Sequence, residues 1–496
     1  MESSHSNYKW WILVTVILGT FLGRLDQTIV NLALPKIITD FGITVTAAGW
    51  ISTAYILANA VFVPVWGKLG DTTGRKRVYI IGFVVFILGS ALAGLSWNLS
   101  SMIVFRVIQA IAGSADYPTA MAILAVTFTA PKERAQALGL WSASFAVASV
   151  FGPLIGGPLI DTLGWRSVFL VNIPVGLLGL AMALVFINES VSERKSVKFD
   201  WMGAVVLGLS LSSLVLVLDR GYDWGWLSLS SVLCYIATIV FSITFYVIEK
   251  NHSEPIIDLK FFNNAVFNNT LFNNFIVFMA MLGSIFLIPI FAQNFLGYNA
   301  TQSGLLFLPM AVVFMIGAPL GASVGSKFPP RIVIFLSTLG AGLSIYLLSF
   351  IDARSSAWDI MYPLAFMALS MGFGMAPRTN VIASLVPASE IGVASSILAL
   401  GRNIGGAFGI ALFGTLLNNS IYNNVIAISH HSTINSTDPT IIGKGIALVT
   451  LLAQIDAYKT VFVVSAALLV ISSFFALMIK SGKIDKEAAK EIFVEA

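Results

Sequence analysis

The chain has 496 residues, of which 57% are hydrophobic and only 10% charged, with a mean hydropathy of +0.88 and a formal net charge of +4. A soluble domain carries roughly 25% charged residues, so a chain this long and this poor in charge cannot cover a water-facing surface and reads as a polytopic membrane protein. Its single cysteine, Cys234, excludes an internal disulfide and a thiolate metal centre, and its basic residues fall in short loops rather than in a nucleic-acid-binding patch.

Residues 1–9 form a short polar N-terminus. The apolar run 10–34 is too long for the core of a secretory signal, and no small-residue cleavage site follows, so it is the first span. A span needs roughly 20 mostly apolar residues. Thirteen more runs qualify: 46–69, 78–96, 99–126, 135–160, 168–187, 201–219, 228–248, 269–296, 301–325, 330–351, 358–386, 391–418 and 459–480. They are continuous and lack period-2 alternation, which makes helices the spanning element. An even count puts both termini on one side. Eighteen of the 28 Lys and Arg fall on that side, six on the other, and four (Arg24, Arg106, Arg378, Arg402) within spans. This bias places both termini in the cytoplasm. The outer loop 419–458 is long for a connection, and its apolar piece 441–455 is expected to be a re-entrant or interfacial helix. His430 and His431 lie there without further ligands, so no metal or other cofactor is expected.

Between spans two and three stands GKLGDTTGRKR, residues 67–77, with five charges in eleven positions. The stretch GASVGSKFPPR, 321–331, aligns with it without gaps, with Gly325 where Asp71 stands, and also falls between two spans. Two such loops suggest two related halves. The expected division is six spans in 10–190, two linking spans in 191–255, six spans in 256–480, and a cytoplasmic tail 481–496.

These residues resemble the fourteen-span drug:proton antiporters of the major facilitator superfamily over nearly the whole chain. The 67–77 stretch matches that superfamily's loop signature. LDQTIVNLALP, from Leu25 to Pro35, resembles the first-span signature, and RVIQAIAG, from Arg106 to Gly113, the fourth-span one, with Ala110 where glycine is usual. GPLIGG, comprising Gly152, Pro153, Leu154, Ile155, Gly156 and Gly157, resembles the fifth-span antiporter signature, with Gly139 upstream but Ala148 at its middle glycine. Trp165-Arg166, NIPVG from Asn172 and RNIGG from Arg402 also fit. The resemblance implies an all-α membrane protein with two six-helix bundles and two additional central helices. It also implies proton-driven efflux of lipophilic, often cationic compounds from the cell membrane. Gly67, Asp71, Gly74, Arg75 and Arg77 would latch the cytoplasmic side, with a partner helix start near 389–392, and Gly152 to Gly157 would seal the cavity. Positive-inside loop charge and ordinary small-residue packing are the plainer readings of the same residues.

Charges inside a span are costly and mark functional positions. Asp26 lies 8 residues, about 12 Å, from the outer end of span one, and Arg106 lies 7 residues, about 10 Å, into span four from the same side. They lie at matched depth, and in the fold that the resemblance implies spans one and four line the same cavity, so they are expected to pair, with Asp26 as proton carrier; a purely structural ion pair is the alternative. Asp116 follows Gln109 by seven residues on nearly one helix face, and the two are expected to line the substrate cavity. There Asp116 would bind a cation or a second proton, unless a nearby arginine neutralises it. Arg402 is expected to be structural or gating; Arg24 faces away from Asp26, and Arg378 has no assigned role. The expected partners are small molecules, protons and the bilayer, with the chain monomeric. A dedicated exporter of one compound, such as a siderophore, lipid or antibiotic, is the second reading. No G-x-x-x-x-G-K-[ST] loop for ATP, no metal cluster and no nucleophile elbow supports an enzyme, and no appended domain supports a sensor.

Overall fold

The computed structural model describes residues 2–128, 131–190, 200–252, 255, 259–325, 327–386, 391–431 and 438–479. They form α1 (Glu2–Phe41), α2 (Val45–Thr73), α3 (Arg75–Gly94), α4 (Leu99–Gly113), α5 (Asp116–Thr127), α6 (Pro131–Leu163), α7 (Ser167–Leu170) and α8 (Asn172–Phe186). Next come α9 (Trp201–Trp224), α10 (Leu229–Asn251), α11 (Ala265–Phe295), α12 (Ala300–Leu305) and α13 (Leu308–Gly325). The last four are α14 (Pro330–Leu348), α15 (Ala357–Ala383), α16 (Ile391–His431) and α17 (Pro439–Leu477).

Proline explains where spans break. Its ring clashes with the carbonyl four residues earlier, and it offers no N–H. Pro118, Pro174 and Pro309 stand four residues after Ser114, Leu170 and Leu305, which are where α4, α7 and α12 give out. Pro35, Pro289, Pro363 and Pro377 lie in helices that continue past them. Side-chain caps set several starts: Thr44 accepts from Ala47 N–H, and Asn98 and Asn299 form capping boxes at α4 and α12.

Taking α7–α8 and α12–α13 as one each, twelve helices among the described residues are long and apolar enough to cross a bilayer. The sequence reading expects two more, at 99–126 and 135–160. The first is divided at Ser114–Ala115 into α4 and α5. The second lies in α6, 33 residues long, many of whose side chains are outside the described residues. The expected re-entrant piece 441–455 is not separate. It is the first part of α17, which with α16 forms a hairpin of 39- and 41-residue helices tied by Asn424 Nδ2 donating to Ala453 O at 3.3 Å. Each is about 60 Å long, twice the hydrocarbon thickness.

The packing repeats. In the first half α1 packs on α6 and α8, and α3 on α4 and α8. In the second half α11 packs on α16 and α17, and α14 on α15 and α17. Glycines match too. A Cβ on Gly67 would meet Pro118, and one on Gly321 would meet Phe373, so each keeps its helix close to the equivalent neighbour. Gly152 and Gly156 press α6 onto Thr28 and Ile29 of α1, as Gly405 and Gly409 press α16 onto the Phe275 and Met279 backbone of α11. The inserted pair α9–α10 lies outside this scheme. Its helices pack on each other, and α9 reaches both α2 and α16.

The halves join at the end opposite the chain's N-terminus, termed here the far end. Side-chain hydrogen bonds join them there. The Asp161 carboxylate on α6 accepts from Ala300 N–H (3.1 Å), Thr301 N–H (3.0 Å) and Thr301 Oγ1 (2.7 Å), capping α12. Thr46 Oγ1 donates to Gly414 O at 3.1 Å and accepts from Asn418 Nδ2, and Gln293 Nε2 donates to Leu32 O at 3.1 Å. The largest buried apolar cluster runs through this end, from Ile29, Leu32 and Ile37 to Phe286, Ile290 and Phe291.

Candidate functional site

The first cluster forms where α1, α3, α4 and α8 meet. Asp26 is fully buried. Its Oδ2 accepts from Arg106 Nη1 at 2.5 Å, and its Oδ1 accepts from Gln109 Nε2 (3.0 Å) and Asn172 Nδ2 (2.8 Å). Ser90 Oγ accepts from the same two amides at 2.6 and 2.8 Å. Arg106 also donates to Gln109 Oε1 at 2.7 Å, and its guanidinium lies 4.0 Å over the Tyr55 ring. Arg106 and Gln109 reach one target because residues three apart share a helix face. Gly89 permits the arrangement: a Cβ there would come within 2.9 Å of Gln109 Cα. Thus the expected Asp26–Arg106 pair exists, and Gln109 belongs to it rather than to a cavity wall. Asn172 and Ser90 were not foreseen, although Asn172 stands in the NIPVG motif.

Asp116 lies on the N-terminal-end side of this cluster. Its Oδ2 accepts from Thr20 Oγ1 at 2.7 Å, and Thr20 in turn accepts from Trp141 Nε1 at 2.8 Å. Its other oxygen is buried next to the Tyr79 hydroxyl, beside a cavity of about 30 Å³ lined by Gly19, Gly23, Tyr79, Phe86 and Gly113. That is room for a single water. Asp116 therefore turns into the first half, between α1, α3 and α5.

The second half builds a counterpart from the equivalent helices α11, α14, α15 and α17. Arg378, 2% exposed, donates from Nε to Asn273 Oδ1 (2.8 Å) and from Nη2 to Thr338 Oγ1 (2.9 Å). Asn273 Nδ2 donates to Ser472 O and Oγ, both at 3.0 Å. Among the described residues no carboxylate joins this cluster.

Three residues bring the two halves within electrostatic reach of each other. Arg24, half-buried, donates to Gln27 Oε1 at 2.9 Å. Arg402, on the opposite half, sits 5.3 Å from the Phe278 ring. Each lies within electrostatic reach of the other and of Tyr117, which is 42% exposed and stacks at 5.3 Å on Trp141. Tyr117, Gln27 and Phe278 escaped the sequence reading because apolar and amide side chains in a span carry no charge signal.

The 67–77 loop is held by a residue outside it. Gly74 has φ +115°, a conformation suited to glycine, and a Cβ there would lie 2.6 Å from the Glu189 carboxylate. That carboxylate accepts from Lys76 N–H (3.0 Å) and Arg77 N–H (3.2 Å) at the start of α3. Arg75 N–H donates to Ser190 O at 3.1 Å. The side chains of Asp71, of its expected partner segment 389–392 and of Pro153 lie outside the described residues. Gly152 and Gly156 face α1, whereas Gly157 faces Thr301 of the other half. Trp165 Nε1 and Arg166 Nη1 both donate to Asp40 Oδ2, at 2.7 and 3.4 Å, closing the far end of α1.

The profile of the Major Facilitator Superfamily matches residues 16–410. Among curated proteins, the multidrug transporter protein MdtP of Bacillus subtilis is 32% identical over 425 residues, covering 84% of this chain and 77% of that one. The tetracenomycin C resistance and export protein of Streptomyces glaucescens is 31% identical over 417 residues, covering 82% and 76%. Among solved structures, a bacterial homolog of the human lysosomal transporter Spinster, inward-facing and unoccupied, superposes with a TM-score of 0.68 at 17% identity, covering 96% of this chain and 99% of that one. The repeated six-helix packing, the 67–77 loop and the profile match agree: this chain belongs to the Major Facilitator Superfamily, a family of multi-pass membrane transporters.

Proposed function

We propose that this chain is a proton-coupled exporter of lipophilic, drug-like compounds. In this reading it works as a monomer in the cell membrane, crosses it fourteen times and keeps both termini in the cytoplasm. Its relatives named for multidrug transport and for tetracenomycin C resistance and export support the efflux reading. The Lys/Arg bias supports the orientation. The far end is then the outer face, and the chain is clasped outside. The six-plus-two-plus-six division with linking helices in 191–255 belongs to the same reading.

One observation carries the coupling: Asp26, fully buried, is held by one guanidinium and two amides. As a carboxylate it balances Arg106. A proton on Asp26 removes that attraction and leaves Arg106 to its bond with Gln109 and its stacking on Tyr55. Such a pair has two arrangements that differ by one proton, which is what coupling requires. Asp71 and its neighbours act as the cytoplasmic latch, Gly152 to Gly157 as the packing seam of the antiporter, and Arg402 as a structural or gating residue.

The test is uphill transport of a dye in proteoliposomes under an imposed proton gradient. Asp26→Asn is expected to abolish accumulation while dye binding persists. Accumulation at the wild-type level in that variant would overturn the assignment.

A further inference from the structure

We infer that Asp116 is a second proton-binding group, and that it passes protons between Asp26 and the N-terminal end through the small cavity that separates the two carboxyls. The inference rests on reading Asp26 as the proton carrier, and it gives the proton a path inside the first half.

Three helices stack the two polar clusters in the same order. On α1 the series is Thr20, Gly23, Asp26; on the α4–α5 line it is Asp116, Gly113, Gln109; on α3 it is Tyr79, Phe83, Phe86, Ser90. All the steps are of three or four residues, so each series keeps to one helix face. Each begins in the Asp116 cluster and ends in the Asp26 cluster. Between them Gly23, Gly113, Phe83 and Phe86 line the cavity of about 30 Å³. Thr20 and Asp26 are six residues apart, about 9 Å of rise. The carboxyls close part of that distance, because Cα–Cβ bonds tilt toward the N-terminus of a helix. Thr20 meets Asp116 and Asp26 meets Gln109, so α1 and α4 run in opposite directions. Asp26 therefore leans toward Gly23, and Asp116 toward Gly113, from opposite ends of the cavity.

A water that fills such a space needs two or more polar partners. Asp116 Oδ1 and the Tyr79 hydroxyl stand together at one end, where a methyl on Gly19 would meet both. The Tyr55 hydroxyl stands 3.2 Å from where a Cβ on Gly113 would lie, and its ring lies under the Arg106 guanidinium. The transfer balances. Protonated Asp26 gives its proton to the water, the water gives one of its own to the Asp116 carboxylate, and Asp26 returns to its ion pair with Arg106. Tyr79, which also donates to Thr15 O at 3.4 Å, stands four residues after Arg75, the start of α3 at the N-terminal end. The titratable and charged groups around Asp116 are Tyr79 of α3, Arg24 of α1, Tyr55 of α2 and Tyr117 of its own helix; Trp141 of α6 acts through Thr20 and does not titrate. The far end is clasped in this structure, so buried Asp26 exchanges protons toward the other end.

The experiment follows the carboxyls of the full chain in lipid nanodiscs by infrared difference spectroscopy after a pH jump, with no transported compound present. Two protonated-carboxyl bands are expected, one lost in Asp26→Asn and the other in Asp116→Asn. In Asp116→Asn the Asp26 band is expected to respond at least about tenfold more slowly than in the wild type, with Asp116→Glu and added formate each restoring much of the rate. Formate separates a relay from a structural role, since a small acid supplies a proton but no packing. Gly23→Ala is the second variant: its methyl enters open space, so the fold is kept while the cavity narrows, and the Asp26 band should slow as well. The inference is overturned if the Asp26 band keeps its wild-type rate in Asp116→Asn, if no band depends on Asp116, or if neither Asp116→Glu nor formate restores a slowed rate. Absence of any band that depends on Asp26 defeats the carrier reading instead, and removes the relay's target with it.

Discussion

The two halves solve the same packing problem with different chemistry. Each ties four equivalent helices together through a buried arginine. In the first half Arg106 meets a carboxylate, Asp26, backed by Gln109, Asn172 and Ser90. In the second half Arg378 meets an amide and a hydroxyl, Asn273 and Thr338. The first cluster holds a carboxylate; among the described residues the second does not. The repeat thus carries a buried ion pair in one half and an arginine among neutral groups in the other.

Removing each arginine separates these roles most sharply. Arg106→Met strands a buried carboxylate and should cost about 3–5 kcal/mol of stability unless Asp26 takes up a proton. The expected readout is a large loss of thermal stability in detergent, partly rescued by adding Asp26→Asn. Arg378→Met removes a cation that has only neutral partners. It should cost about 1–3 kcal/mol through the unmet groups of Asn273 and Thr338, with proton-driven transport retained in the folded fraction. If Arg378→Met abolishes coupling while the protein stays folded, the second cluster is not merely structural.

The glycine seams give a smaller contrast. A methyl at Gly409 meets the Met279 backbone oxygen, which is fixed in α11, whereas one at Gly152 meets the Thr28 hydroxyl, which can rotate away. Gly409→Ala should therefore lower the melting temperature more than Gly152→Ala. Equal shifts in a thermal scan would mean that the two helix pairs are equally deformable.

The smallest expected effect is at the far-end clasps. Asp161→Asn keeps the shape but weakens the charge-assisted cap on α12, by about 1 kcal/mol. It should shift the population toward opening at that end by several-fold, read as labelling of single cysteines placed beneath the clasp. No change in labelling would assign far-end closure to apolar packing alone.

Much of this was legible beforehand. Helical rise placed Asp26 and Arg106 at one depth, and the family resemblance, by setting spans one and four against one cavity, paired them. The repeat could be read from the glycines of 67–77 and 321–331. What sequence could not supply was the set of neutral partners. Arg378 reaches Asn273 across 105 positions and Thr338 across 40, and neither asparagine nor threonine announces itself in a span. Asp116 was expected in a cavity with Gln109. Helix periodicity placed them on one face but could not show that Pro118 would interrupt the helix between them and that this face would turn into the bundle.

The inserted helices carry a mechanical consequence. Because α9 lies against α2 of one half and α16 of the other, the halves cannot rock without α9 sliding on one of them. Among the described residues the equivalent seam, between α6 and α13, carries no such pad. The pair therefore adds friction to one side of an otherwise two-fold arrangement.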